Sequence, residues 1–293
     1  MIKYIVVMSV SILLSIPMFS QEPKKPNSAE IYASIEQLNF LGSVLYLAAH
    51  PDDENTRMIS YFANNVHART AYLSITRGDG GQNLIGPEIR ELLGVIRTNE
   101  LLKARETDGG EQFFTRANDF GYSKHPDETL KIWDKEEVLK DVVKVIREFQ
   151  PDVIINRFDA NSAGKTHGHH TSSAMLSLEA FDLAADPEYK SYDLPAWTTQ
   201  RVFFNTHWWF YGSREEFDKT DKSGMLWFDT GAFYPSLGLS NSEISSLSRS
   251  MHKSQGFGST GTRGSDKEYV KLLKGKMPSG NNIFEGVDTS WSR

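Results

Sequence analysis

A histidine and three acidic residues are crowded directly behind an apolar run near the start of the chain. The stretch AAHPDDENT, residues 48–56, follows VLYL and places His50 beside Asp52, Asp53 and Glu54. Zinc binds imidazole nitrogen and carboxylate oxygen, and a catalytic zinc site keeps one position open for water. His50 and Asp53 are three positions apart, which lets both side chains reach one ion. Asp52 then remains to take a proton from water.

A second histidine cluster, KTHGHHTSS at residues 165–173, has the same spacing. His167 and His170 are three positions apart at the predicted start of a helix. Two residues from each cluster would supply three ligands and leave a position for water, as metal-assisted hydrolysis requires. Two simpler interpretations compete: a turn whose aspartate caps the next helix, and a solvated histidine loop. Because both clusters follow predicted strands, the sequence favours the metal site.

Strands that alternate with helices would bring the two clusters together. Apolar runs predict the strands, and apolar residues at helical spacing predict the helices. The strands are predicted at residues 43–49, 68–76, 151–158 and 200–211. This alternation predicts an α/β fold, a Rossmann-like three-layer arrangement with a mainly parallel sheet. In such sheets ligands bind beyond the carboxyl ends of the strands, where both clusters stand.

The predicted helices connect these strands. They are expected at residues 54–65, from Pro87 onward, at 135–150 and at 170–185. The helix from Pro87 is predicted to bury Ile89, Leu92, Leu93 and Ile96 as one stripe. A serine or threonine is predicted to cap the helix at 170–185. Residues 77–83 and 107–123 are predicted to be loops.

Composition and charge exclude several classes of protein. The chain has 293 residues, a formal net charge of -6 and no cysteine. Its length suits one large domain or two small ones with a sizeable core. The acidic balance argues against a nucleic-acid-binding protein. Without cysteine there is neither a disulfide nor a lipoprotein anchor, so a metal site must use histidine, aspartate and glutamate.

Both ends of the chain differ in composition from its middle. Residues 1–20 are typical of a signal peptide, because Lys3 precedes an apolar run at 4–18 that is short for a membrane span. The mature protein is therefore expected to be exported, periplasmic or secreted, without stable membrane insertion; an uncleaved anchor is the alternative. Residues 21–35 are predicted to be a linker. Residues 256–293 are predicted to be a flexible C-terminal region, and their ending suggests a fragment of a longer protein.

The two clusters resemble the motifs of the PIG-L or LmbE-like de-N-acetylases. AHPDDE at residues 49–54 and a later H-x-x-H, here HGHH at 167–170, carry the resemblance. Three further stretches are similar: TRGDGG (76–81), IRTNELLKAR (96–105) and HKSQ (252–255). Together they cover about residues 43–255 and imply one domain at 36–255. The family consists of zinc-dependent enzymes that remove acetyl from N-acetylglucosamine-containing molecules.

The resemblance implies a role for each matched residue. The implied Zn²⁺ ligands are His50, Asp53 and His170. Asp52 is implied to be the general base, and His167 is implied to stabilise the reacting centre. Many relatives read His-Pro-Asp-His in the second motif, so His169 stands where those proteins have an acid.

Two further residues are predicted to bind the substrate. The resemblance places Arg97 near the substrate sugar; a surface ion pair with Glu100 is the alternative. Asp79 follows the second strand and would reach the same rim, unless it is an ordinary turn acid. His252 is a further candidate, with a structural role as the alternative.

The combined prediction is a zinc-dependent de-N-acetylase, a hydrolase of linear amide bonds. Zinc-activated water, deprotonated by Asp52, would attack an N-acetylglucosamine-type sugar or glycoconjugate, and His167 as a cation would help to hold the oxyanion. A zinc amidase acting on another amide-linked conjugate is one alternative. A non-catalytic carbohydrate-binding module is the other, since the aromatic runs at 207–212 and 225–229 can stack on sugar rings or pack in the core.

Overall fold

The computed structural model describes residues 25–293, and the predicted signal peptide lies outside the described residues. In chain order the elements are α1 (Ser28–Gln37), β1 (Ser43–Ala48), α2 (Thr56–Asn64), β2 (Arg69–Thr76), α3 (Glu91–Asp108), β3 (Glu111–Ala117), α4 (Pro126–Ile132), α5 (Lys135–Phe149), β4 (Val153–Asn156), α6 (Gly168–Ala185), β5 (Arg201–Thr206), α7 (Arg214–Lys219), β6 (Met225–Asp229), β7 (Phe233–Tyr234), β8 (Leu239–Ser240), α8 (Asn241–Arg249) and β9 (Lys267–Gly275). Short 3-10 turns lie at Trp208–Tyr211 and Lys253–Gln255. None of the helices in this part of the chain is long and apolar enough to cross a membrane.

A seven-stranded sheet organises the described residues, in the order β3-β2-β1-β4-β5-β9-β6. Strands β1 to β5 are parallel, and β9 runs antiparallel between β5 and β6. Every residue of β1 and β4 is buried, as expected for central strands covered on both faces. The predicted α/β fold with a mainly parallel sheet is confirmed.

Two apolar cores lie on opposite faces of the sheet. One core packs α4, α5 and α6 against the strands, and α5 contributes Val138, Val142 and Ile146 from one stripe. The other core packs α2 and α3, with Met58 and Phe62 from α2. Apolar residues at helical spacing therefore bury one face of α2 and of α5, and the sheet separates the two helical layers.

The chain reverses its direction of strand addition between β1 and β4. After β1 it continues outward to β2 and β3, and later strands are added on the other side, beginning with β4. The loops after β1 and β4 consequently diverge and leave a crevice at the carboxyl ends of these two strands. His50 follows β1 by two positions, and the segment after β4 leads to His167 and α6.

Several element boundaries differ from the predictions. Helix α3 begins at Glu91 rather than Pro87, and Ile89 and Leu92 are exposed. The buried face of α3 includes Arg97, Glu100 and Arg105, because this face meets polar loops of the site as well as the apolar core. Of the predicted stripe, Leu93 is fully buried and Ile96 is half-buried, so a search that counts only apolar residues finds the buried face of α3 only in part.

Four other predictions of local structure were wrong. The predicted loop at 107–123 contains β3, a half-exposed strand at the edge of the sheet. Helix α6 begins at Gly168 with His167 as its N-cap, not a serine or threonine. The predicted linker at 21–35 contains the start of α1, and the region predicted to be flexible from 256 contains β9, which lies inside the sheet with Val270 fully buried.

Candidate metal centre

The three predicted metal ligands converge at the crevice between β1 and β4. Asp53 Oδ2 accepts the backbone N–H of His50 at 2.8 Å and lies 3.1 Å from Nδ1 of the same histidine. Nε2 of His170 lies 3.6 Å from Asp53 Oδ1. Nitrogen and oxygen ligands of a tetrahedral zinc ion are about 3.3–3.5 Å apart, since each lies about 2.0–2.2 Å from the ion. The separations fit a small divalent cation.

The remaining nitrogens of both histidines have partners that turn the ligand nitrogens toward Asp53. Nδ1 of His170 lies 3.2 Å from the Thr166 hydroxyl, and its ring stacks on Phe158 with centroids 3.8 Å apart. Nε2 of His50 lies 2.9 Å from Nδ1 of His169. Partners of this kind fix the ring orientation and tautomer of metal-binding histidines. Both histidines are therefore positioned as ligands by neighbouring side chains.

His169 is a buried neutral partner of the ligand His50. It is fully buried and packs on Phe120 and Trp133, and burial lowers the pKa of His169 to about 2. When Nδ1 of His50 faces a metal, its Nε2 carries the proton and donates to Nδ1 of His169. Asp119 lies near this pair, 3.7 Å from His169 Nδ1 and 4.0 Å from His50 Nε2.

A second group of possible ligands shares His50. Donor atoms of His50, His167 and His169 lie within 4.8 Å of one another, as do those of His50, Asp53 and His170. A catalytic metal needs an open position, and His169 lines neither of the two cavities at this site, whereas Asp53 and His170 line both. The group with Asp53 is therefore the better metal site.

Asp52 lies beside the ligands in a strained backbone conformation. Its φ is 94°, a region that residues other than glycine rarely adopt. Oδ1 of Asp52 is 3.0 Å from the Arg97 guanidinium, which is itself buried. Burial raises the pKa of Asp52 to about 6, and the charge of Arg97 opposes this rise. The carboxylate thus has a proton affinity suited to general-base chemistry near neutral pH.

Three side chains hold the backbone around Asp52. Glu54 accepts the N–H of Asp52 at 2.8 Å, Arg249 donates to its carbonyl at 3.0 Å, and Arg97 donates to the carbonyl of Pro51. Strained backbone costs on the order of 1–3 kcal/mol and persists where its surroundings determine it. The three hydrogen bonds hold the backbone of Asp52 in this conformation, so Arg97 and Glu54 position the predicted base.

Glu54 belongs to a buried polar network behind the metal ligands. Its Oε1 lies 2.7 Å from Nε2 of His252 and 3.4 Å from Arg105, which also pairs with Asp108. Although burial opposes it, the nearby His252 and Arg105 lower the pKa of Glu54 to about 2. Glu54 therefore belongs to this network, and the next residue, Asn55, caps α2. The family-like stretches at 96–105 and 252–255 supply part of this network.

His167 presents one nitrogen to the site. Its Nδ1 accepts the backbone N–H of His169 at 3.1 Å as the N-cap of α6. Burial and the neighbouring His50 lower the pKa of His167. In the neutral ring Nε2 therefore carries the proton and can donate a hydrogen bond. Gly168 permits this close start of α6, because a Cβ there would lie 2.5 Å from the Ser123 hydroxyl.

The metal centre separates two open cavities. The first, of about 550 Å³, is lined by Arg157, Trp209 and Arg249, and we call it the α8 cavity. The second, of about 530 Å³, is lined by Gly81, Arg97, Asp119, Tyr122 and His167, and we call it the glycine-loop cavity. Their shared wall consists of Asp52, Asp53 and His170. A substrate group at the metal can therefore extend into either cavity.

Of the two predicted substrate-binding residues, Arg97 lies at the metal centre and Asp79 does not. Arg97 lines the glycine-loop cavity and pairs with Asp52, whereas Glu100 accepts hydrogen bonds from Ser254, so there is no Arg97–Glu100 pair on the surface. The backbone of Gly78 lies close to the Arg97 side chain. A Cβ at this position would lie 2.5 Å from the guanidinium, so a larger residue would displace Arg97. Asp79 lines neither cavity at the metal centre, and its carboxylate accepts the backbone N–H of Asp119.

Sequence comparison identifies the family. Residues 45–181 match the family model PIG-L, described as GlcNAc-PI de-N-acetylase. We call this matched segment, which is slightly less than half of the chain, the PIG-L domain. The resemblance inferred from the two motifs is confirmed, and the matched segment contains every ligand and base considered above.

Relatives of the PIG-L domain include sugar deacetylases. The 1D-myo-inositol 2-acetamido-2-deoxy-alpha-D-glucopyranoside deacetylase of Geodermatophilus obscurus is 32% identical over 181 residues, which cover 55% of this chain and 60% of the relative. A protein of the same description from Thermobispora bispora is 32% identical over 168 residues, 50% of this chain and 53% of the relative. The chain thus matches little more than half the length of these relatives.

Two solved structures share the fold at low sequence identity. N,N'-diacetylchitobiose deacetylase from Pyrococcus horikoshii has a TM-score of 0.51 and 17% identity, and the match covers 80% of this chain and 82% of that one. The 4-carboxy-2-hydroxymuconate hydratase from Pseudomonas putida KT2440 has a TM-score of 0.52 and 16% identity, covering 82% and 99%. Since a deacetylase and a hydratase share this fold, the fold alone does not determine the reaction.

Sequence reasoning missed several residues of the site. Asp119 follows β3, which was predicted to be a loop, and Arg249 lies on α8, outside every quoted motif. Arg157 follows β4 directly, so its position at the carboxyl end of a central strand was an available signal. Trp209, from a noted aromatic run, is 56% exposed and lines the α8 cavity.

Proposed function

We propose that this protein is a metal-dependent de-N-acetylase of an N-acetylglucosamine-type sugar or glycoconjugate. The observation that carries the proposal is the shared wall of the two cavities, where a predicted base lies beside a His-Asp-His ligand set. Asp52, Asp53 and His170 all reach this wall. The PIG-L domain and the deacetylase relatives support the same activity.

Zinc is the proposed metal, held by Nδ1 of His50, a carboxylate oxygen of Asp53 and Nε2 of His170. Two imidazoles and one carboxylate form a donor set typical of catalytic zinc sites. When bound, the ion would polarise the amide carbonyl and lower the pKa of a coordinated water.

The side chains around this ion perform the proton transfers. Asp52 accepts a proton from the attacking water, while its ion pair with Arg97 keeps it ionised beforehand. His167 keeps its proton and donates a hydrogen bond from Nε2–H to the carbonyl oxygen as negative charge develops there. Asp52 then returns its proton to the amine nitrogen as the carbon–nitrogen bond breaks. The products are acetate and the free amino sugar.

The substrate is proposed to be a sugar amide with parts in both cavities. The exposed ring of Trp209 in the α8 cavity is available to stack on a sugar face. We also propose that the mature protein is exported, on the strength of the signal-like residues 1–20.

The test is amine release from a panel of amides. Purified protein is incubated with methyl N-acetyl-β-D-glucosaminide, chitobiose acetylated on both nitrogens, and N-acetylated dipeptides. The proposal expects free amine and acetate in equal amounts from the sugar amides only, lost with chelator and restored by zinc. Cleavage of the peptide amides alone would show an amidase of another class, and no cleavage of any amide would reject the proposed function.

A further inference from the structure

Two arginines in the α8 cavity have no acidic partner among residues 25–293. Arg157 and Arg249 are half-buried, and neither forms an ion pair within this part of the chain. Arg157 is engaged by a long hydrogen bond of 3.4 Å to Asn205 Oδ1 and lies 5.7 Å from the Phe210 ring. Arg249 donates a hydrogen bond to the Asp52 carbonyl, and its guanidinium lies 4.1 Å from the centroid of the Phe257 ring.

The acids that line the same cavity are already occupied by other partners. Asp53 faces His50 and His170, and Asp52 pairs with Arg97. Glu54 is bound to His252, and Glu268 pairs with Arg57 at 3.0 Å. The charged side chains of the α8 cavity that have no partner of opposite charge are therefore positive, although the whole chain has a net charge of -6.

Both arginines line the cavity beside residues of the metal centre. Arg249 contacts the backbone of Asp52, and Arg157 lines the same cavity as His170. Ser242, Ser245 and Thr262, which carry hydroxyl groups, also line this cavity. Arginine forks, hydroxyl groups and a nearby aromatic ring together suit an oxyanion attached to a polyhydroxylated ligand.

We propose that the α8 cavity binds an anionic group, a carboxylate or a phosphate, carried by the sugar substrate. Arg157 and Arg249 hold this group while the N-acetyl amide lies at the metal centre. The proposal rests on the proposed function for the identity of the sugar, and it narrows the substrate class to acidic N-acetyl-hexosamine conjugates. A charge-assisted pair of arginine contacts should improve binding about tenfold or more over a neutral analogue.

The test compares anionic and neutral ligands by calorimetry on the zinc-loaded protein. The anionic probes are N-acetylmuramic acid, N-acetylglucosamine 1-phosphate and N-acetylglucosamine 6-phosphate, which carry the charge at different positions of the ring. The neutral probe is methyl N-acetyl-β-D-glucosaminide. Each probe is measured with the wild type, Arg157→Gln, Arg249→Gln and the control Arg214→Gln. Arg214 is exposed on α7 and does not line the cavity.

The expected result is that at least one anionic probe binds the wild type and Arg214→Gln about tenfold or more tightly than the neutral probe. This ratio should fall to within about threefold in both cavity variants, and circular dichroism should show that they are folded. Equal binding of all probes by the wild type would overturn the proposal. So would a preference that survives in both cavity variants, since the anion would then bind the metal. Amine release from the same samples reports separately on the proposed function.

Discussion

Each polar side chain at the metal centre has a separate task that its contacts define. Asp53 contacts both ligand histidines, whereas the neighbouring Asp52 pairs with Arg97. Asp52 has a positive φ, and the two adjacent carboxylates have different partners. We therefore assign proton transfer to Asp52 and metal binding to Asp53, and we expect mutation to separate the two functions.

Asp52→Asn is expected to lower kcat for amine release by about 10²–10⁴-fold while leaving one metal per chain. The amide keeps the size of the side chain and removes its ability to accept the water proton. Steady-state kinetics and metal analysis on one sample measure both quantities. Asp218→Asn, on the exposed side of α7, is the matched control and should retain wild-type kcat. A fully active Asp52→Asn variant would rule out the assigned base.

His169→Ala is expected to weaken zinc binding by about 10–100-fold, because the remote nitrogen of His50 loses its acceptor. Competition with a chromophoric chelator measures the Kd. His169→Asp restores an acceptor and should bind zinc more tightly than the alanine variant, which separates hydrogen bonding from loss of packing. An unchanged Kd in His169→Ala would show that this contact does not support the ligand.

At the scale of secondary structure, apolar patterns predicted the central elements well and the edges poorly. Strands β1, β2 and β4 are buried apolar runs, so composition alone locates them. Strand β3 mixes exposed and buried positions at the sheet edge and therefore was read as a loop. The buried face of α3 is partly charged, so a search for an apolar stripe finds it only in part.

In the candidate site, the residues within short motifs were predictable, whereas contacts between segments far apart in the sequence were not. The motifs predicted His50, Asp52, Asp53, His167 and His170, whose convergence follows from short spacing and the strand ends. Contacts from other segments were not predictable, because they form only when the chain has folded. Among these are the Arg249 bond to the Asp52 carbonyl and the bond between His252 and Glu54.

Glu54→Gln is expected to lower the free energy of unfolding by about 3 kcal/mol or more, since it leaves buried Arg105 and His252 with less compensation. Denaturant unfolding of the metal-free protein measures this, so that metal release does not contribute. Glu106→Gln removes an exposed carboxylate from α3 and should change stability little. Equal stability of the two variants would contradict a structural role for the buried network.

At the scale of the whole molecule, the segment after residue 255 completes the sheet. Strand β9 pairs with β5 on one side and β6 on the other, although β5 and β6 precede it by many residues. Composition suggested a flexible tail because glycine, serine and lysine surround the strand. Long-range pairing of this kind leaves little local signal, which is why the tail was misread.

Truncation after Gln255 is expected to abolish cooperative folding, because it removes β9 and the buried Val270 from the sheet. Thermal unfolding followed by circular dichroism measures the transition in the truncated and full-length chains. A truncated protein with the full-length melting temperature would show that the sheet does not need this strand.

The central claim is that one divalent metal, bound by His50, Asp53 and His170, is required for de-N-acetylation. The most direct measurement is a zinc titration of metal-free protein in which bound metal and amine release from an N-acetylglucosaminide are recorded together. We expect activity to rise linearly and to level off at one equivalent of bound zinc, and His170→Ala to show neither tight binding nor activity. Full activity of the metal-free protein, or stoichiometric zinc binding by His170→Ala, would contradict it.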